Sequence, residues 1–223
     1  MQLGLVSPGM EFASEMIVKA TLANLRIAEV PTTLSPDGRS RPPHLRSWRD
    51  GWRHLRFLLM MSPRWLLFYP GLALSAAGIA AQIALLKGPV VIGGVGFDIH
   101  TMLYAAGASI LGLQLVIFSL LARAVGCVKG VLPMTAALER FWRRFSLERG
   151  IGVGMATGFL GFALAVRSVD LWFGAQFGAL DPTAMMRYAI PSVTLMIAGA
   201  EIVFASFVLN LIEPLSTRAH TDR

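Results

Sequence analysis

The chain has one cysteine, three tyrosines and four histidines in 223 residues, and only 15% of its residues are charged. A lone Cys127 cannot close an internal disulfide, and no cysteine and histidine pairs stand at metal-ligand spacing. Cys127 therefore reads as a small apolar residue near a helix end. His44, His54, His100 and His220 are isolated from one another, and none sits beside a serine or cysteine in a nucleophile turn, so hydrolase chemistry has no support. Residues 1–43 contain no continuous apolar stretch of the kind a cleavable signal peptide needs. The excess of 20 Lys and Arg over 13 Asp and Glu would suggest nucleic acid in a soluble domain. Here the basic residues flank apolar runs, no zinc finger or aromatic stacking platform accompanies them, and nucleic acid is not expected as a partner.

What is abundant is apolar surface. With 55% apolar residues and a mean hydropathy of +0.61, an α-helical integral membrane protein is the expected class. Four apolar runs approach the roughly 20 residues that a bilayer crossing requires at about 1.5 Å per residue: about 65–86, 102–122, 151–171 and 188–212. The third must extend past Arg167, whose long side chain can snorkel to the interface. Nine Lys or Arg precede the first run, six lie between Arg123 and Arg149 and two are in the tail 213–223, against Lys87, Arg167 and Arg187 elsewhere. This asymmetry predicts a multi-pass protein of the cytoplasmic (inner) membrane with both termini cytoplasmic.

Residues 44–64 form a segment of another kind. In "HLRSWRDGWRHLRFLLMM", Leu45, Trp48, Trp52, Leu55 and Leu59 share one helical face, while Arg46, Arg49, Arg53 and Arg56 share another. The loop between the second and third runs holds a similar segment, "LERFWRRFSLERG". The two predict a cationic, aromatic collar of juxtamembrane helices facing anionic lipid.

The second and fourth runs are faintly alike. "ILGLQLVIFSL" and "IAGAEIVFASF" match Gly112 with Gly199, Gln114 with Glu201, Val116 with Val203 and Ser119 with Ser206, at a constant offset of 87 residues. Two related helical hairpins follow from it. Gly150, Gly154 and Gly158 would let a neighbouring helix approach the third run closely. Glu201 falls near mid-membrane, where an ionisable group marks either a function or a paired polar contact. Gln114 is its obvious mate, with a protonated Glu201 donating to the amide. The pair is expected to act as interhelical glue.

Residues 1–43 read as a helix from about Glu11 to Asn24, with Phe12 and Met16 on one side, then a strand over Arg26–Leu34 that Pro36-Asp37-Gly38 ends in a turn. One helix and one strand cannot bury a core, so such a segment needs another domain to pack against.

Its motifs resemble the end of the catalytic domain in family 2 glycosyltransferases of the polyprenyl-phosphate type, the group that includes dolichyl-phosphate mannosyltransferase. That family's order is a G-x-x-F-x-x-E-M helix, an x-E-V-P strand and a G-x-S-K/R loop. It is matched here by Gly9, Phe12, Glu15 and Met16, then Glu29, Val30 and Pro31, then Gly38, Ser40 and Arg41. The arginine often found three residues before the loop glycine is replaced by Ser35, and Arg39 is the substitute the sequence offers.

The resemblance implies a Rossmann-like nucleotide-sugar domain ahead of a helix-strand remnant, then amphipathic juxtamembrane helices and four transmembrane helices. It implies transfer of a sugar from a nucleotide sugar to polyprenyl (undecaprenyl) phosphate, with Mg or Mn held by an Asp-x-Asp motif. No Asp-x-Asp occurs in these 223 residues, so no cofactor and no catalytic residue is assigned to this chain, which looks like the C-terminal piece of an enzyme. Arginine's planar fork suits a phosphate through paired, charge-assisted hydrogen bonds. Arg39, Ser40, Arg41, Arg46 and Arg49 are accordingly expected to hold the lipid phosphate. Arg53 and Arg56, nearer the apolar wall, read as headgroup anchors. Glu15 and Glu29 would shape the acceptor side, whereas Glu11 reads as a helix-dipole carboxylate.

The expected partners are polyprenyl phosphate, anionic lipid and a nucleotide-sugar domain in cis or in trans, with a homo-oligomer left open. Two other readings stand beside this one: a non-enzymatic flippase accessory or small transporter, with Gln82, Gln114 and Glu201 lining a path, and a purely structural membrane anchor. The motifs before the membrane discriminate, because a transporter has no need of an orphaned helix and strand.

Overall fold

The computed structural model describes residues 4–5, 9, 11–22, 25–33, 47–128, 132, 136–144, 146–174, 176, 178 and 181–221. The chain divides into two compact units, 1–62 and 63–223.

The first unit contains α1 (Glu11–Leu22) and α2 (Ser47–Met61). Between them, residues 25–33 form no strand, contrary to the expectation over Arg26–Leu34. A single strand leaves a row of N–H and C=O groups unpaired until another strand lies alongside, and the described residues of this unit supply none. Ile27 and Val30 are exposed there, as are Phe12, Met16 and Ile17 on α1.

The second unit is a four-helix membrane bundle. Its spans run Arg64–Leu85, Ile99–Val128, Leu147–Gly174 and Pro182–Ile212, each long and apolar enough to cross a bilayer. The first opens with a π-helical turn, Arg64–Phe68, in which the Tyr69 N–H reaches the Arg64 carbonyl, before α3 (Tyr69–Leu85) begins. Pro70 explains the widened turn, since it has no N–H to donate one turn back. A two-stranded antiparallel hairpin, β1 (Val90–Ile92) and β2 (Val95–Phe97), leads to α4 (Ile99–Val128). Its turn residues Gly93 and Gly94 have φ of 58° and 82°, left-handed values that glycine adopts without strain. A short amphipathic helix, α5 (Ala136–Arg144), precedes α6 (Leu147–Gly174) and α7 (Pro182–Thr221). Helix α7 starts six residues before its apolar run because Pro182 occupies the first turn and Asp181 Oδ1 accepts the Thr183 N–H at 3.0 Å.

Within the bilayer, lipid tails are as apolar as leucine, so close backbone approach and polar contacts must hold helices together. The small residues do this twice, in the same way. Gly71, Ser75 and Gly78 of α3 meet Ala105, Ser109 and Gly112 of α4, and Gly154, Gly158 and Gly161 of α6 meet Ser192, Met196 and Gly199 of α7. A Cβ on Gly112 would lie 2.6 Å from the Gly71 carbonyl oxygen; one on Gly199 would lie 2.6 Å from that of Gly154. The first helices of the two hairpins correspond at an offset of 83 residues and the second at 87, so the repeat is one of packing as well as sequence. Both hairpins run in the same sense, which places the relating axis along the membrane normal, between α4 and α7.

Candidate functional site

The amphipathic α2 begins at Ser47 and carries Arg49, exposed, with Arg53 and Arg56 following at helical spacing. Trp48 is 88% exposed, and Trp52 and Leu55 are exposed too, so an aromatic face and a cationic face both stand open in this unit. That is the distribution of a helix lying in a membrane interface. Arg39, Ser40, Arg41 and Arg46 lie outside the described residues, as does the Pro36-Asp37-Gly38 turn.

Glu15 and Glu29 differ in surroundings. Glu15 is buried on α1 and forms an ion pair with Lys19, one turn on, at 2.7 Å. Lys19 Nζ also donates to the Gly4 carbonyl, which ties the start of the chain to α1. Glu15 therefore has a fixed position and a neutralising partner. Glu29 sits in the exposed stretch 25–33.

In the bundle, Gln114 of α4 and Glu201 of α7 are joined by a hydrogen bond of 2.7 Å. The donor is the Gln114 amide and the acceptor is Glu201 Oε1, the reverse of the direction expected from sequence. Glu201 Oε2 is buried without a hydrogen-bond partner. On the side of the pair toward Arg64 and Arg149, a cleft of about 300 Å³ lies between the two helices. Besides Gln114 and Glu201 it is lined by Ile117, Phe118 and Leu121 of α4 and by Phe204, Ala205 and Val208 of α7. Each α4 position matches an α7 position at the repeat offset of 87, so the cleft follows the axis.

Two polar groupings in the bundle were not evident from sequence. The Gln82 amide nitrogen donates to Ser109 Oγ at 2.9 Å, and Thr194 Oγ1 donates to Gln82 Oε1 at 3.3 Å, which joins α3, α4 and α7. At the Lys87 end, Arg187 donates to the Leu85 carbonyl and pairs with Asp98. Arg187 thereby caps the end of α3, fixes the base of the hairpin and anchors α7. The signal for it was a basic residue directly before the apolar run 188–212 with one acidic residue, Asp98, in the facing loop. Arg167 pairs with Asp170 on the exposed face of α6.

Among the described residues no three His, Cys, Asp or Glu side chains come together as metal ligands.

Residues 120–213 match a family described as the glycosyltransferase family 2 C-terminal transmembrane region. Over those residues the membrane part is similar to a family 2 glycosyltransferase transmembrane region. That family 2 region takes in the end of α4, α5, α6 and most of α7. Over 208 residues, 92% of its length, the chain is 36% identical to the low-salt glycan biosynthesis hexosyltransferase Agl6 of Haloferax volcanii, of which those residues make up 48%. The chain spans about half the length of the curated relative it matches. No solved structure matches it. At 92% of the chain, the similarity reaches into the segment before the membrane as well as the family 2 region.

Proposed function

We propose that this chain is the membrane and lipid-acceptor-binding portion of a glycosyltransferase that moves a sugar from a nucleotide sugar to polyprenyl phosphate at the cytoplasmic face of the membrane. One observation carries the reading. The first unit leaves Phe12, Met16, Ile17, Ile27 and Val30 exposed, on a segment whose motifs resemble the end of a nucleotide-sugar domain. Each large apolar side chain left in water costs about 1.5–3 kcal/mol, which favours a covering domain. The hexosyltransferase relative and the family 2 region support the same reading.

In this account the chain's residues do two things. Glu15, held by Lys19, and Glu29 shape the acceptor side beneath the nucleotide-sugar domain. Arg39, Ser40, Arg41, Arg46 and Arg49 hold the lipid phosphate, and α2 keeps that phosphate at headgroup depth while the four spans hold the chain in the bilayer. The divalent metal, Mg or Mn, belongs to the covering domain. The polar side chains that a transport path would need, Gln82, Gln114 and Glu201, are bonded to neighbouring helices, which favours the acceptor-binding reading.

The test is polyprenyl-phosphate binding in detergent by Arg41→Ala and Arg46→Ala, with Arg144→Ala as a distal control. Losing one charge-assisted contact of about 1.5 kcal/mol should weaken binding roughly tenfold in the first two and not in the third. Equal losses in all three would mean general headgroup attraction. Reporter fusions after Lys87, Lys129, Asp181 and Arg223 test the orientation; signals from the second and fourth must be cytoplasmic.

A further inference from the structure

The hairpin between α3 and α4 has a composition unlike that of a water-facing loop. From Gly88 to Phe97 the sequence is "GPVVIGGVGF", without a charge, a hydroxyl or a side-chain amide. Pairing sets Val90 opposite Phe97 and Ile92 opposite Val95, so these four apolar side chains share one face of the ribbon. Val90 and Phe97 are half-buried at its base, whereas Ile92 and Val95 are 66% and 57% exposed at its tip. Val91, on the other face, is exposed as well.

We propose that this hairpin lies in the interfacial layer of the bilayer at the Lys87 end of the bundle and anchors that end to lipid. The distances bring it to that layer. The span Arg64–Leu85 has 22 residues and is thus about 33 Å long, enough for the hydrocarbon core, and this puts Leu85 at its boundary. Strands of three residues are about 10 Å long, and the headgroup layer on each side is roughly 5–8 Å deep. Tilted toward the membrane plane, the ribbon keeps its tip within that layer. The apolar surface is also continuous with lipid-facing residues of α3, since Ile83 and Leu86 just before the hairpin are exposed. Exposed Tyr104 and Trp172 stand at the same end of the bundle, the position of an interfacial aromatic belt.

The hairpin's own chemistry sets its depth. Each strand has one open edge of backbone N–H and C=O groups, which hydrocarbon cannot satisfy. The ribbon therefore rests with its apolar face toward the acyl chains and its edges in hydrated headgroups. Arg187 holds the base in this position through Asp98 and the Leu85 carbonyl.

The experiment places a fluorescent thiol label at Ile92→Cys or Val95→Cys in a Cys127→Ala background, with the full chain in phosphatidylcholine vesicles. A label at Leu103→Cys, on the exposed face of α4, marks the membrane, and the free label in buffer marks water. Variants are taken forward only when their elution and melting match the unlabelled chain. The expected result is quenching of both hairpin labels by lipid-borne nitroxide, stronger with the nitroxide near the headgroup than at the acyl terminus, and shielding from iodide relative to free label. Iodide quenching as strong as that of free label overturns the proposal. So does shielding from both reagents, which would place a protein surface such as a second copy over the ribbon, and so does stronger quenching by the deep nitroxide.

Discussion

Gln114 and Glu201 occupy equivalent positions in the two hairpins and donate and accept a hydrogen bond between them, at 2.7 Å. A pair on the repeat axis holds the hairpins to one another, while glycines hold each hairpin together. A double-mutant cycle of Gln114→Leu and Glu201→Leu in detergent should give a coupling of about 0.6 kcal/mol and no more than roughly 1.7 kcal/mol, the range of interhelical hydrogen bonds in membranes. Glu201→Gln, which keeps an acceptor, should retain most of it. Zero coupling would mean that the contact has no share in stability.

The close approach of backbones predicts a graded glycine series. Gly112→Ala and Gly199→Ala place a methyl group against main-chain atoms that cannot move aside, and should cost about 1–3 kcal/mol by thermal unfolding in detergent. Gly107→Ala, whose Cβ meets nothing within 4 Å, should be neutral or stabilising by up to about 1 kcal/mol.

Arg187 bridges two partners, and its removal has two consequences. Arg187→Ala leaves Asp98 without its ion pair and the Leu85 carbonyl with only the long Gly88 N–H contact of 3.4 Å, for a loss of about 1–3 kcal/mol. Asp98→Ala removes only one of these contacts and should cost less. Hydrogen exchange of the amides in β1 and β2 checks the order, which should be fastest in Arg187→Ala.

The four spans were legible because hydropathy over about 20 residues depends on composition alone. Their ends were not. Arg187 counts against a membrane helix in any hydropathy sum, yet inside α7 it is neutralised by Asp98, so the helix begins at Pro182. The α4 and α7 correspondence was readable because Gln114 and Glu201 stand out among apolar neighbours. The correspondence of Gly71, Ser75 and Gly78 with Gly154, Gly158 and Gly161 was hidden, since small residues acquire meaning only once a partner helix is against them. The hairpin had a signal, Gly93-Gly94 between β-branched residues, that the apolar runs on either side obscured. The strand expected around Glu29 failed for another reason, since pattern gives strand propensity but not the neighbour a strand must pair with.

If the chain receives the lipid phosphate while a nucleotide-sugar domain performs the transfer, glycolipid forms only when both are present. The purified chain is mixed with nucleotide sugars, a divalent metal and polyprenyl phosphate, and glycolipid is followed with and without the catalytic domain of a related enzyme. General-base and metal chemistry need carboxylates fixed beside the reacting atoms, and the acidic residues described here are paired, exposed or within the membrane. The account predicts glycolipid only when the domain is added; glycolipid from the chain alone, or a chain that neither binds nor activates any such domain, would contradict it.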